Sequence, residues 1–158
     1  MNKQAESIVS VLKEQKKTLA TAESLTGGLV ADAVVSIAGA SEVFLGGVVS
    51  YTDGVKASLL GVKKETLAAY TAVSAEVARE MADGARRLLG SDCAISTTGL
   101  AGPAGGEDGK PVGTVFVGIA TPDGTEVFSL HFSGTRTEIR QKTVNFAITS
   151  LIKQLTNA

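Results

Sequence analysis

Short apolar runs alternate with stretches of helical periodicity along residues 4–98, and that alternation restricts the chain to a layered α/β architecture. Ala5, Ile8, Val9 and Leu12 recur at helical spacing within 4–15. Residues 18–22 read as a short strand, and Leu29, Val30, Ala33, Val34 and Ile37 give the next helical face, with Gly39 as its stop. The run 43–51 predicts a buried strand in which Gly46 and Gly47 mark a bulge or close backbone packing. Short helices are predicted from 54 to Gly61 and over 64–69. Ser74 caps a longer one with Val77, Met81, Ala85 and Leu88 on one face, closed by Gly90. A strand follows at 92–98. Residues 99–113 form a loop with six glycines. Two strands, 114–120 and 126–132, then flank Pro122-Asp123-Gly124, a hairpin signal. Thr135 and Glu138 make a capping box ahead of a helix whose inner face is Val144, Ala147, Ile148, Leu151 and Leu155. The expectation is one domain over 1–158, a three-layer α/β/α fold on a mixed, mostly parallel sheet.

Composition excludes several function classes. Hydrophobic residues make up 44% of the 158 residues, with 18 glycines and no Trp. That suits a core of small aliphatic side chains. The net charge of −1 supplies no basic field for nucleic acid. No apolar stretch is long enough to span a bilayer and the first residues lack a signal core, so a cytoplasmic protein is expected. The lone Cys93 lies in an apolar run and reads as a buried thiol. The single histidine, His131, sits in an alternating strand and is a poor partner for a serine triad. One His, one Cys and scattered carboxylates make no zinc site. Lys110 is followed by Pro111 rather than Ser or Thr, so Gly109-Lys110 is no phosphate loop. Neither metal nor cofactor is expected.

Chemistry is concentrated in four places. Residues 19–28, Leu-Ala-Thr-Ala-Glu-Ser-Leu-Thr-Gly-Gly, run from a strand into a helix. They set the hydroxyls of Ser24 and Thr26 beside backbone N–H groups and a positive dipole end. Gly27 and Gly28 allow close approach of a ligand; the alternative is a Ser or Thr cap before a tight turn. Tyr51-Thr52-Asp53-Gly54-Val55-Lys56 ends a strand and opens a helix. With Asp53 as cap, Lys56 falls in the first turn, where the dipole favours the neutral amine, and a nearby arginine would push the same way. A neutral lysine serves as general base for a serine. The alternative is an ordinary Asp53–Lys56 surface pair worth about 0.2–0.5 kcal/mol. Arg136 and Arg140 stand four residues apart near a helix start, an unfavourable placement that a bound anion reverses; the alternative is pairing with Glu138 or other local acids. Thr97-Thr98-Gly99 leads into the glycine loop, a further place for a ligand; the alternative is a flexible surface Ω-loop.

Taken in order, four segments resemble the C-terminal domain family of the competence/damage-inducible protein CinA. They are Ala-Glu-Ser-Leu-Thr-Gly-Gly, Tyr-Thr-Asp-Gly-Val-Lys, Thr-Thr-Gly-Leu-Ala-Gly-Pro-Ala-Gly-Gly and Phe-Ser-Gly-Thr-Arg-Thr-Glu-Ile-Arg. That family includes stand-alone nicotinamide-nucleotide amidohydrolases. The resemblance implies hydrolysis of nicotinamide mononucleotide to nicotinate mononucleotide and ammonia by a Ser/Lys pair, without metal, in a homo-oligomer. It places the serine on Ser24 and the lysine on Lys56, with Tyr51 close by. Substrate contacts fall on Glu23, Thr26, Gly27, Gly28, Thr98, Gly99, Gly102, Gly105, Gly106, Arg136 and Arg140. Backbone N–H groups of Ser24 to Gly27 would meet the oxyanion. The chain departs from the family at Leu25, where Cys is usual, and at Thr52-Asp53, where Ser-Asn is common. A nucleotide-binding module without turnover stands as the alternative.

Overall fold

The computed structural model describes residues 2–157, so the ends of the expected 1–158 domain, Met1 and Ala158, lie outside the described residues. Five strands form one sheet: β1 (Leu19–Glu23), β2 (Phe44–Val49), β3 (Cys93–Gly99), β4 (Thr114–Thr121) and β5 (Gly124–His131). Their order is β2-β1-β3-β4-β5. β1 pairs in parallel with both β2 and β3, while β3–β4 and β4–β5 are antiparallel. The sheet is therefore mixed. Four strands share one direction and β4 alone is reversed, although the ladders divide evenly between the two kinds.

Six helices cover the two faces: α1 (Lys3–Glu14), α2 (Leu29–Val35), α3 (Asp53–Leu60), α4 (Lys64–Tyr70), α5 (Ala75–Leu89) and α6 (Arg136–Thr156). The pleat sorts the side chains between layers. Leu19, Cys93, Ile95, Val115, Val117 and Ile119 pack with α1, α2 and α6. Ala20, Ala22, Ala94 and Ala120 face the other way, against Leu60 of α3 and Val77, Met81, Ala82 and Ala85 of α5. Small sheet residues on that second face let α5 approach closely. At Gly84, α5 touches α3 backbone to backbone; a β-carbon there would overlap the Leu60 carbonyl.

The run 43–51 was expected to be buried and is instead an edge strand. β2 pairs only with β1 and alternates half-buried with exposed residues, leaving Leu45 and Val49 about half exposed. An apolar run reads alike for a central strand and for an edge whose outer flank stays open. The register between β1 and β2 skips Leu45, the bulge that Gly46 and Gly47 signal. Among the described residues no helix is long and apolar enough to cross a membrane.

The fold sets its carboxyl rim for function. β1, β2 and β3 end together, α2 leaves β1 on one face of the sheet, and α3 to α5 leave β2 on the other. A crevice opens where such connections part.

Candidate active site

Ser24 is the first residue after β1, and its N–H donates to Thr97 O of β3 at 2.9 Å. The turn that follows is fixed by Glu23, a carboxylate only 1% exposed. Glu23 Oε1 accepts from Thr26 Oγ1 at 2.6 Å and from Val30 N at 2.8 Å, and Oε2 accepts from Ala31 N at 3.1 Å. Since Thr26 gives its proton to Glu23, Thr97 Oγ1, 2.7 Å away, donates to Thr26. The cap of α2 is Gly28, at φ 106°, which has no side chain to offer. Glu23 supplies the missing cap from five positions upstream and adds charge at the favourable end of the helix. Neither Ser24 nor Thr26 caps α2.

The second wall comes from β2 and α3. The cap of α3 is Thr52, whose Oγ1 accepts from Val55 N at 3.4 Å, and not Asp53, which is already helical. Lys56 in the first turn is 1% exposed. Its Nζ lies 3.0 Å from Ser24 Oγ and donates to Ser50 O at 2.8 Å and Tyr51 O at 3.5 Å. No carboxylate pairs with it; the only ion pairs among the described residues are Lys13–Glu42 and Lys110–Asp108. Burial pushes the Lys56 amine below its ordinary value of 10.5, and the charge of Asp53 pulls less strongly in the opposite direction. Desolvation, rather than an arginine, is what disfavours the ammonium. The three oxygens match the three N–H donors of an ammonium; once deprotonated, the amine keeps two N–H groups for the carbonyls and turns its lone pair to the Ser24 hydroxyl.

These groups open onto a cleft of about 470 Å³, lined by Ser24, Leu25, Tyr51, Lys56, Thr98 to Ala104 and Arg136 among others. Thr98 Oγ1 donates to Ala72 O at 2.7 Å, tying β3 to the segment before α5. Arg136 donates to Gly102 O at 2.6 Å and to the Tyr51 hydroxyl at 3.3 Å, bridging the loop and the β2 end at the rim. Of the residues singled out by sequence, Ser24, Tyr51, Lys56, Thr98, Gly99, Gly102 and Arg136 line this cleft. Glu23, Thr26, Gly27, Gly28, Gly105 and Arg140 do not; Gly106 borders an adjoining hollow with Asp108 and Thr71. Arg140 turns its guanidinium onto the carbonyls of Leu25 and Thr26. Sequence reasoning missed the Ser50 carbonyl, whose only signal is its place directly before Tyr51 at a strand end. No group of three His, Cys, Asp or Glu side chains converges as a metal site among the described residues.

Fold and site together define a class: an α/β/α domain with a hydroxyl and a buried, unpaired amine facing each other at the carboxyl rim of its sheet. The chain belongs to the CinA C-terminal domain family, whose model matches residues 1–155. It is 46% identical over 153 residues to a CinA-like protein of Thermotoga neapolitana, covering 97% of this chain and 37% of that protein. A CinA-like protein of Endomicrobium trichonymphae is 50% identical over 145 residues, covering 92% of this chain and 34% of that protein. The chain thus spans about a third of the length of the curated relatives it matches. Among solved structures, a competence-damaged protein (CinA) superfamily protein of Klebsiella pneumoniae superposes with a TM-score of 0.97 at 35% identity, each chain fully covered. The competence/damage inducible protein CihA of Agrobacterium tumefaciens gives 0.92 at 39% identity, covering 97% of this chain and 93% of that one.

Proposed function

We propose that this chain is an amidohydrolase that converts nicotinamide mononucleotide to nicotinate mononucleotide and ammonia. The observation that carries this reading is the 3.0 Å approach of a buried, carboxylate-free Lys56 amine to the Ser24 hydroxyl. Neutral Lys56 takes the Ser24 proton while Ser24 Oγ attacks the carboxamide carbon. The C–N bond then breaks, and the proton held on Lys56 leaves with the amine as ammonia. Water, deprotonated by Lys56, adds to the resulting ester and restores Ser24.

The ends of the substrate separate along the cleft. The ring amide lies at Ser24, and the 5′-phosphate lies toward Arg136, the cation that lines the cleft rim together with Tyr51. Phosphate binding far from the reacting carbon then positions the amide. The oxyanion is met by an N–H group of the turn after Ser24. Two of the four expected donors are already used, Ser24 N on Thr97 O and Gly27 N on Ser24 O, and Thr26 is fully buried off the cleft, which leaves the N–H of Leu25. In this reading the chain works as one domain in the cytoplasm, within a homo-oligomer, with no metal, cofactor, nucleic acid or membrane.

The test is ammonia release from nicotinamide mononucleotide by the purified chain, with nicotinamide riboside and free nicotinamide alongside. Release that depends on the phosphate supports the reading. Tight nucleotide binding without ammonia would favour a non-catalytic nucleotide-binding module.

A further inference from the structure

Arg140 was expected to hold phosphate, yet it faces away from the cleft and grips the turn that carries Ser24. Its Nε donates to Leu25 O at 2.8 Å and its Nη2 to Thr26 O at 3.2 Å. Its own position is firm. It stands in the second turn of α6, next to Ile139, which is 1% exposed, behind a complete Thr135–Glu138 capping box.

A trans peptide points its carbonyl and its N–H in opposite directions. Holding Leu25 O against α6 therefore turns the Thr26 N–H away from α6. The Ser24 carbonyl is fixed in the same manner by Gly27 N at 3.1 Å, which turns the Leu25 N–H away from Gly27. The N–H groups of Leu25 and Thr26 meet no acceptor among the described residues, although these residues are only 5% and 0% exposed. Buried backbone donors without acceptors are rare in folded proteins. Here two occur in succession, directly after the nucleophile; Leu25 lines the cleft, and Thr26 is fully buried behind it. Hydrogen bonds received at a carbonyl also polarise its peptide and sharpen the donor at the other end.

We propose that Arg140 is a positioning residue for the oxyanion donor: it locks the Leu25–Thr26 turn, and through the Thr26 carbonyl the Gly27 N–H that holds Ser24 O, so that the Leu25 N–H points toward the reacting carbon. This inference rests on the amidohydrolase reading. It assigns Arg140 to the transition state, through the turn, and leaves phosphate binding to Arg136.

Steady-state kinetics of the full chain test it, with Arg140→Lys and Arg140→Ala measured on nicotinamide mononucleotide and on nicotinamide riboside. Loss of one well-placed oxyanion donor costs ~10²–10³ in rate. The expected result is a kcat lower by about that factor on both substrates, with KM changed only a few-fold. Added guanidinium should restore part of the rate of Arg140→Ala. A KM that rises for the mononucleotide and not for the riboside would overturn the inference, because Arg140 would then hold phosphate. An unchanged kcat in folded Arg140→Lys would overturn it as well. If Arg140→Ala does not fold, Arg140→Lys, which keeps charge and stem, decides alone. Should the unsubstituted chain release no ammonia, the hydrolase reading fails first and takes this inference with it; active unsubstituted chain beside fully active Arg140→Lys isolates the failure to Arg140.

Discussion

Gly84 lies far from the chemistry in sequence, and substituting it by Ala should impair catalysis more than stability. A β-carbon on Gly84 would overlap the Leu60 carbonyl oxygen and lie 2.8 Å from its carbon and 3.0 Å from Leu60 Cα. Carbon atoms pack best at ~3.5–4.0 Å, so α3 must move off α5 by roughly 1 Å. Lys56 stands one turn back from Leu60 on the same short helix and moves with it. A misplacement of ~1 Å in a catalytic group can cost ~10² in rate. Overpacking costs about 1–3 kcal/mol, and the helix propensity of Ala over Gly returns about 1 kcal/mol. The net loss of ~0–2 kcal/mol should lower Tm by only a few degrees in a domain of this size. Ammonia release from nicotinamide mononucleotide, measured beside a thermal melt, separates the two effects. A folded Gly84→Ala chain with unchanged kcat would refute the claim that the α3–α5 contact sets the distance from Lys56 to Ser24.

Four further predictions concern Lys56, Arg136 and Cys93. The rate should climb with pH as Lys56 loses its proton, with a midpoint below 10.5, because burial lowers the amine; a pH–rate profile of kcat/KM checks this. Stability carries the matching sign. Between the lowered folded value and 10.5 the unfolded chain binds more protons, so unfolding free energy rises with pH across that window. Denaturant melts at several pH values should show this rise in the unsubstituted chain and lose it in Lys56→Met. Arg136→Ala should remove a hydrogen-bonded ion contact worth about 1.5–3 kcal/mol, raising KM for the mononucleotide roughly 10- to 150-fold while leaving the riboside unaffected. The Cys93 thiol, fully buried and pushed up to about 11 by burial, should resist alkylation at pH 8 in the native chain and react once denatured.

The fold was legible because its signals are local. Ser74, Thr135 and Glu138 act as caps in the structure as their spacing indicates, and Pro122-Asp123-Gly124 turns a hairpin. That Ser24 and Lys56 meet was implied by the family resemblance; their spacing alone showed only that Ser24 follows β1 and Lys56 sits in the first turn of the helix after β2, and left a surface Asp53–Lys56 pair open. Long-range geometry was hidden. Nothing in the run 43–51 tells an edge from a centre, since the pairing partner decides it. Asp53 and Thr52 are both good caps, and one residue of register separates them. Glu23 and Arg140 carry charges that suggest ligands, yet Glu23 spends its hydrogen bonds on the Thr26 hydroxyl and the first turn of α2, and Arg140 on carbonyls of the turn between β1 and α2. Only the packing of α6 against that turn shows where the guanidinium goes.

The most direct test of the central claim is ammonia release from nicotinamide mononucleotide by the unsubstituted chain, by Ser24→Ala and by Lys56→Ala, each checked for folding. The Ser–Lys account predicts turnover in the first and a loss of roughly 10⁴ or more in Ser24→Ala, with Lys56→Ala lower by at least ~10². Undiminished turnover in folded Ser24→Ala would contradict it.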